Sequence, residues 1–205
     1  FETFCQEKVL YPFGLGLSYT TFSWEPGTAE VTGSGAGSCV EFTVRVENTG
    51  ACAGREVLQV YVEAPQGVLG KAKRVLADFA KTKLLAAGES QVLYFRIPVK
   101  RFASYDDGGV TGNKSCFVLE AGDYRFYVGT DCRRTKELCR ADGGAPFAPQ
   151  ELLVTERLHE AAAPVEAFRR IKPVLQADGS YAPAYEPVPL RTVDLESRIK
   201  ENLPK

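Results

Sequence analysis

The stretch Val40-Glu-Phe-Thr-Val-Arg-Val-Glu-Asn48 alternates apolar and polar side chains along its whole length. The apolar members, at positions 40, 42, 44 and 46, fall on one face of an extended chain, because successive side chains of a strand point to opposite faces. The Glu, Thr and Arg residues between them fall on the other face. The stretch therefore predicts a strand with one face in a core and one in water, ended by the turn residues Asn48-Thr-Gly50.

Shorter extended segments surround this strand and are separated by turns rich in Gly, Pro and Asp. In 57–63, the residues Leu58, Val60 and Val62 share one face. The other predicted segments are 74–85 (as one or two strands), 91–97, 103–106, 116–119, 123–129 and 150–155. Helical periodicity is scarce before residue 156. About seven short strands without intervening helices predict an all-β fold, an antiparallel β-sandwich.

One tyrosine sharpens this prediction. Tyr124 follows the turn Ala121-Gly122 and opens an alternating strand. Sandwich folds place a tyrosine corner at such a point, with the hydroxyl group bonded to the backbone a few residues upstream. We therefore predict that Tyr124 forms a tyrosine corner.

Composition narrows the classes of function. The 205 residues are 44% hydrophobic and 25% charged, which suffices for a packed core. The net charge of −1 offers no basic excess to neutralise a phosphate backbone, so we expect no nucleic-acid partner. No apolar run approaches the ~18 residues of a membrane helix, and we expect no membrane partner. The chain starts at Phe1 and contains no Met, and we expect it to be a segment of a longer protein.

The six cysteines leave alternatives open. They lie at positions 5, 39, 52, 116, 132 and 139, without the CxxC spacing of a metal site. In a secreted domain they could all pair, and Cys132 and Cys139 could bridge locally across a short charged loop. A chain of this length builds a core without such bridges, and we favour free thiols in a reducing compartment. We therefore expect a cytoplasmic location, with an extracellular one as the alternative.

The residues that could act in catalysis or ligand binding do not form a recognisable motif. Asp106 and Asp107 lie in a Gly-rich turn and are interpreted as solvated turn formers. His159 has no companion His or nucleophile pattern, and 33–37 is a Gly-rich loop without the residues of a phosphate cradle. A basic loop holds Arg133, Arg134, Lys136 and Arg140. We predict no catalytic, cofactor-binding or metal-binding residue and no cofactor.

The segment after residue 160 differs in composition. Prolines punctuate it, yet apolar anchors such as Ile171, Val174, Leu175 and Tyr185 recur. A flexible linker would lack these anchors, so we predict an extended strap that packs on a neighbouring surface. A short helix is predicted at 194–203, with Asp194 as its cap.

A family resemblance enters with the run Leu10-Tyr-Pro-Phe-Gly14 and Leu15-Gly-Leu-Ser-Tyr-Thr-Thr-Phe22. This run resembles the junction that ends the α/β-sandwich domain of glycoside hydrolase family 3 enzymes and precedes their fibronectin type III-like domain. Tyr11 stands where the family usually has another aromatic residue.

Later stretches resemble the strands of that second domain. They are Val44-x-Val46-x-Asn48-Thr-Gly50, Gly54-x-Glu56-Val-x-Gln59-Val-Tyr61-Val, Leu76-x-x-Phe79-x-Lys81, Leu85-x-x-Gly88-Glu89-Ser90 and Glu120-Ala-Gly122-x-Tyr124. Asp78 lies where Gly is common in the family. The resemblance covers about residues 8 to 160 and implies a fibronectin type III/immunoglobulin-like sandwich.

The resemblance also implies an organisation and a role. It implies the end of an α/β-sandwich domain at 1–18, a fibronectin type III-like domain at 19–160, and an extended linker strap at 161–205. Stretches 164–168 and 185–194 resemble the connector of members with inverted domain order, in which a (β/α)8 barrel follows. In that family the nucleophile is an Asp of the barrel, and the acid/base usually comes from the α/β sandwich; neither motif occurs here. The chain is thus expected to be a non-catalytic domain of a retaining, β-glucosidase-like enzyme, with those two domains as partners.

Two other functions stay open. The first is an independent carbohydrate-binding module making weak glycan contacts, for which Trp24 with Tyr19 and Phe22 would be the aromatic platform; packing at the domain junction is the simpler interpretation of these rings. The second is a secreted, disulfide-bonded interaction domain of immunoglobulin type. A further hypothesis places the loop 104–114 at the rim of a partner domain's active site.

Overall fold

The computed structural model describes residues 9–158 and 168–188. Two antiparallel sheets face each other across one core, and a small sheet and a hairpin flank them. The strands are β1 (Phe22–Pro26), β2 (Glu30–Thr32), β3 (Cys39–Asn48), β4 (Val57–Glu63), β5 (Val75–Lys81), β6 (Ser90–Pro98), β7 (Ser104–Asp106), β8 (Cys116–Leu119), β9 (Arg125–Gly129), β10 (Thr135–Leu138), β11 (Leu153–Arg157), β12 (Phe168–Leu175) and β13 (Tyr181–Val188). Short 3-10 turns occur at Gly35–Gly37 and Val99–Phe102.

The first sheet is built around β3, the strand that the alternating pattern predicts. β6 pairs with one edge of β3, and β1 and β2 share the other edge. The even-numbered apolar residues of β3 are buried and Thr43 and Arg45 are exposed, which confirms the predicted faces. Phe42 stacks on its cross-strand partner Phe95 with ring centroids 5.1 Å apart.

The second sheet has the order β10-β9-β4-β5. Leu58, Val60 and Val62 of β4 face the first sheet and are buried in the core, as predicted. The opposite face of β4 carries Gln59 and Tyr61, which are also buried. The core covers only one face of β4, so another part of the chain must cover the face that carries Gln59 and Tyr61. That contact is described in the next subsection.

The predicted tyrosine corner is confirmed. The hydroxyl group of Tyr124 donates to the backbone carbonyl of Glu120 at 3.1 Å, just before β9 begins. The ring lies in the main core against Phe102 and Phe147. Gly122 adopts a φ of +125°, which a residue with a Cβ rarely adopts.

The predicted all-β antiparallel sandwich is confirmed, with differences in detail. The segment 74–85 holds one strand, β5, and Leu85 forms only an isolated bridge with Gly54. Strands β2 and β10 were not predicted, because each is short or lacks a clear alternation of apolar residues. Phe22 and Trp24, whose alternation was interpreted as strand packing at the domain junction, lie in β1. The prediction of a basic loop that includes Lys136 was wrong, because residues 135–138 form strand β10.

The segment after residue 160 is extended where it is described, and it pairs with itself. β12 and β13 form an antiparallel hairpin with Ile171 opposite Tyr185. His159 and the helix predicted at 194–203 lie outside the described residues. No helix in the described part of the chain has the length and apolar character needed to cross a membrane.

Candidate functional site at the attachment of the terminal segments

Residues Phe13 and Gly14 cover the outer face of β4, and we call this contact the N-terminal attachment. The Nε2 of Gln59 donates to the carbonyl of Gly14 at 2.9 Å and to that of Thr130 at 2.8 Å. The backbone N–H of Cys132 donates to the carbonyl of Phe13 at 3.0 Å. One amide side chain thus ties the segment before β1 to the turn after β9.

The N-terminal attachment requires a glycine. Gly14 has a φ of +84°, and a Cβ placed there would lie 2.0 Å from Oε1 of Gln59 and 2.6 Å from the hydroxyl oxygen of Tyr61. The neighbouring ring of Phe13 meets Tyr61 edge to face, with centroids 6.4 Å apart. The buried Gln59–Tyr61 pair therefore accepts this glycine and excludes a side chain.

Asp131 shapes the turn that supports this contact. Its carboxylate accepts hydrogen bonds from the backbone N–H of Arg133 (2.8 Å) and Arg134 (2.7 Å), and from Nε of Arg134 at 2.6 Å. Burial opposes the charged form, but these hydrogen bonds and the charge of Arg134 outweigh it and lower the pKa of Asp131 below its ordinary value of 3.8. Cys132, which holds Phe13, lies inside this turn.

The second contact surrounds the loop 65–71 after β4, and we call it the C-terminal attachment. A buried ion pair between Lys71 and Glu120 forms its base, with side chains 6% and 9% exposed. The Glu120 carboxylate also accepts the N–H groups of Val68 (2.6 Å) and Leu69 (3.2 Å), and Nζ of Lys71 donates to the carbonyl of Pro65 at 2.8 Å. Desolvation lowers the pKa of Lys71, although its hydrogen bond to Glu120 opposes this. The charges are thus paired and hydrogen-bonded, as buried charges must be.

The hairpin is seated on this loop. Nζ of Lys172 donates to the carbonyl of Gly67 at 2.5 Å, and Nη2 of Arg170 donates to that of Val68 at 3.1 Å. A Cβ on Gly67 would lie 2.1 Å from Oε1 of Glu120, and one on Gly70 would lie 3.0 Å from Cα of Lys172. The loop is therefore glycine-dependent on both sides, toward the ion pair and toward the hairpin.

Glu120 joins the C-terminal attachment to the core. Its carbonyl receives the hydroxyl group of Tyr124, while its carboxylate holds the loop that seats the hairpin. One residue thus links the tyrosine corner to β12. Sequence reasoning identified Tyr124 but not this role of Glu120, because the partner Lys71 lies far away in the sequence.

Both attached segments expose apolar side chains. In the N-terminal segment, Leu17 and Tyr19 are almost fully exposed. In the hairpin, Ile171 and Tyr185 are about half exposed. Exposed apolar residues that a fixed backbone holds out to solvent are typical of surfaces that another protein surface covers.

Prolines interrupt the outer edges of the hairpin. Gln176 and Ser180 are hydrogen-bonded across the hairpin, since the N–H of Gln176 donates to the carbonyl of Ser180 at 2.8 Å. Because hydrogen-bonded and non-bonded pairs alternate, Pro173, Pro183 and Pro187 occupy positions whose N–H groups would point outward. Proline removes these three donors and so disfavours strand addition, although outward N–H groups remain at positions such as Ile171 and Tyr185.

The structure corrects the interpretation of Asp106. Its side chain is fully buried and accepts the N–H groups of Val110 and Thr111 and the hydroxyl group of Thr111 at 2.6 Å. It is therefore an internal organiser of the loop 106–111, and only the neighbouring Asp107 is partly exposed. A buried carboxylate was not predictable because its partners are backbone N–H groups of its own loop.

Trp24 forms no open platform. Its Nε1 donates to the carbonyl of Val128 at 3.2 Å, and the ring packs against the main core with Lys136 over its face. Residues 33–37 form a loop with one 3-10 turn. Within 9–158 and 168–188, no three His, Cys, Asp or Glu residues converge in a way that could hold a metal. The five cysteines of these ranges are not paired with one another.

Comparison with known families and proteins gives these contacts a context. The sequence model of the fibronectin type III-like domain family matches residues 56–132. A β-glucosidase of Ruminococcus albus is 44% identical over 204 residues, which is 100% of this chain and 20% of that protein. The chain thus spans about a fifth of this relative's length.

The chain is also similar to solved structures of β-glucosidases. The β-glucosidase of Paenibacillus barengoltzii is 53% identical and superposes with a TM-score of 0.92 over 100% of this chain and 22% of its own. β-Glucosidase 3B of Thermotoga neapolitana is 38% identical, with a TM-score of 0.52, over 64% of this chain and 18% of its own. Some relatives therefore share the whole chain, and others share only part of it.

Proposed function

We propose that this chain, which carries a fibronectin type III-like domain and matches β-glucosidases along its whole length, braces the catalytic domains of a family 3 β-glucosidase. The chain itself is the non-catalytic part. The enzyme would be a retaining, β-glucosidase-like glycoside hydrolase, and the partners would be its α/β-sandwich and (β/α)8-barrel domains.

The observation that carries this proposal is that both terminal segments are fixed to one strand and the loop after it. The N-terminal attachment uses Gln59 and Tyr61 of β4, and the C-terminal attachment uses the loop 65–71 directly behind β4. β4 is an inner strand of its sheet and is buried on both faces. The entry and the exit of the chain therefore have a fixed spacing and direction.

Fixed spacing matters for the chemistry of a retaining glycosidase. Two carboxyl groups must lie about 5–5.5 Å apart in such enzymes. Where two domains supply them, the brace between the domains sets this distance, and an error of about 1 Å can reduce the rate about 100-fold. A rigid domain with seated ends suits this task.

The domain order of the enzyme is part of the proposal. All of this chain matches the enzymes of Ruminococcus albus and Paenibacillus barengoltzii, whereas only 64% of it matches the enzyme of Thermotoga neapolitana. The seated hairpin favours a following domain, since a chain end would gain nothing from a fixed direction. We therefore place the barrel after Lys205, and the coding sequence downstream of this residue tests the order: a stop codon there contradicts it.

The brace is tested by removing exposed apolar contacts in the full-length enzyme. We expect Leu17→Ser with Tyr19→Ser to leave the melting temperature of the 205-residue chain unchanged, because both side chains are solvent-exposed in it. In the full-length enzyme the same pair should lower kcat on an aryl β-glucoside more than it changes KM, because domain orientation is disturbed. Val92→Ser, exposed on β6, is the control. Unchanged kcat and heat resistance of the enzyme would contradict the brace.

The reducing compartment is also a proposal. Cys39 and Cys116 are buried, whereas Cys52 is exposed. Thiol counting on the denatured protein tests it: six free thiols support a cytoplasmic location, and fewer favour the secreted alternative.

A further inference from the structure

A cleft of about 350 Å³ opens between the C-terminal attachment and the sandwich. One wall is the loop 69–72 with Arg170 of the hairpin, and the other is formed by the start of β5 and the segment 101–105. Among its apolar lining residues, Val62, Leu69 and Phe102 are buried, and Val75, Leu76 and Tyr105 are partly exposed. A concave cleft of this size, lined by both apolar and polar side chains, can hold a ligand with one ring.

The charges that line the cleft all have one sign. They are Lys71, Arg101 and Arg170, and no described carboxylate lines it. Lys71 is fully engaged with Glu120 and two backbone carbonyls, and Arg170 is engaged with Glu186 and Val68. These two residues have little left to offer a ligand.

Arg101 differs from the other two cations. Its Nη1 pairs with Asp78 at 2.9 Å and donates to the carbonyl of Ala77 at 3.3 Å. Its Nε and Nη2 have no partner among residues 9–158 and 168–188, and the side chain is 51% exposed. An arginine edge of this kind binds one carboxylate through two parallel hydrogen bonds.

We propose that this cleft is a binding site for a small monocarboxylate with an apolar ring. The ring lies against the exposed apolar surface of Val75, Leu76 and Tyr105, and the carboxylate meets the Nε and Nη2 edge of Arg101. A single free guanidinium edge, with Asp78 on the other side, suits one negative charge better than two. The site is independent of the proposed brace.

Titration of the ¹⁵N-labelled 205-residue chain with benzoate tests the proposal. We expect amide shifts confined to 69–72 and 101–105, saturating in the millimolar range. Benzamide, of the same shape but neutral, should bind at least about tenfold more weakly, because it lacks the charge-assisted pair. Glucuronate separates a sugar acid from an apolar ring and should also bind more weakly.

Variants of one residue complete the test. Arg101→Gln should weaken benzoate binding at least about fivefold. Arg101→Lys keeps the charge but not the planar guanidinium group, so its affinity for benzoate should lie between those of the parent and Arg101→Gln. Arg45→Gln is the matched control, because Arg45 is also an exposed arginine with a single ion pair, to Glu47. The proposal is overturned by absent shifts, by equal binding of benzamide or glucuronate, by shifts scattered over other basic residues, or by unchanged binding in Arg101→Gln.

Discussion

The two attachments do the same task with different chemistry. The N-terminal attachment uses neutral partners, namely an amide side chain, a phenol ring and backbone carbonyls. The C-terminal attachment depends on the buried ion pair of Lys71 and Glu120. Neutral hydrogen bonds contribute modestly and are lost one at a time, whereas a buried charge without its partner is costly. The two ends of the chain should therefore respond very differently to substitution.

The attachments also share a feature that limits what can replace them. In each, a glycine lets backbone or carboxylate atoms approach where a Cβ would collide, at Gly14 and at Gly67. The N-terminal segment is held through its own backbone carbonyls, whereas the hairpin is held by Arg170 and Lys172, which donate to carbonyls of the loop. In both segments the remaining side chains are free to contact a neighbour. The segments can thus carry exposed Leu17 or Tyr185 without losing their position.

The largest expected effect is that of Glu120→Gln. The variant keeps an oxygen for the N–H of Val68 but leaves the Lys71 ammonium buried without a carboxylate, at a cost of about 3–5 kcal/mol in the free energy of unfolding. Urea denaturation followed by tryptophan fluorescence measures it. Adding Lys71→Met should recover more than half of the loss.

The control for this prediction is an exposed pair. Glu89 bonds Lys83 and the N–H of Ala86 at the surface, and Glu89→Gln should change stability far less. Equal losses in Glu120→Gln and Glu89→Gln would show that burial does not distinguish the C-terminal attachment.

The next effect is that of Gly14→Ala. A residue with a Cβ at this positive φ costs about 1–3 kcal/mol, and the Cβ also displaces Gln59. We expect the N-terminal attachment to open while the sandwich stays folded. Hydrogen exchange at the Cys132 amide, which bonds Phe13, should accelerate at least about fivefold.

Gly16→Ala is the matched control, because no atom lies within 4 Å of a Cβ at that position. It should leave exchange at Cys132 unchanged. If Gly14→Ala also leaves it unchanged, the N-terminal attachment does not depend on the close approach of this glycine.

A smaller effect is expected for Tyr124→Phe. The substitution removes one hydrogen bond to the carbonyl of Glu120 and leaves the ring in the core, so it should cost about 1 kcal/mol of unfolding free energy. Glu120→Gln keeps this backbone carbonyl but weakens the hold on the loop 65–71, so the loss should be smaller in a Glu120→Gln background if the loop helps to fix the backbone of residue 120. Such coupling is measured by a double-mutant cycle, and strict additivity would contradict the link. Tyr19→Phe, at an exposed ring, should have no effect.

Local patterns predicted the sandwich, but the contacts that fix its ends depend on distant residues. The alternation in 40–48 and the turn before Tyr124 are short-range signals, and both predictions are confirmed. The pairs Gly14–Gln59 and Lys71–Glu120 span about 45 and 49 positions, and no periodicity reports them. The burial of Gln59 was hidden because the alternation predicts only that it points away from Leu58 and Val60.

The family resemblance drew attention to 10–22 without giving its physical role. The structure supplies one for Phe13 and Gly14, which are the residues that touch β4. Asp106 was misread because a short polar stretch looks solvated until its backbone partners are known. The basic residues at 133, 134, 136 and 140 are exposed, and only the assignment of 135–138 to a loop was wrong, because these residues pair with β9. The domain boundaries at 18 and 160 stay predictions.

The smallest expected effect tests whether the N-terminal attachment is truly insensitive to charge. Asp131 supports its turn, and hydrogen bonds from Arg134 and Arg133 hold the pKa of this carboxyl below 3.8. A group with a lowered folded pKa contributes stability above its unfolded value, and this contribution is lost as the pH falls through the folded pKa. Asp131→Asn should therefore be slightly less stable than the parent at pH 7, and the two should converge below about pH 3.8. Amide shifts of Arg133 and Arg134 against pH measure the midpoint, and Asp142→Asn, at an exposed turn, controls for the lost charge. A midpoint at or above 3.8 would show that the turn does not favour the charged form of Asp131, whereas one below it shows that a stabilised carboxylate supports the neutral contact.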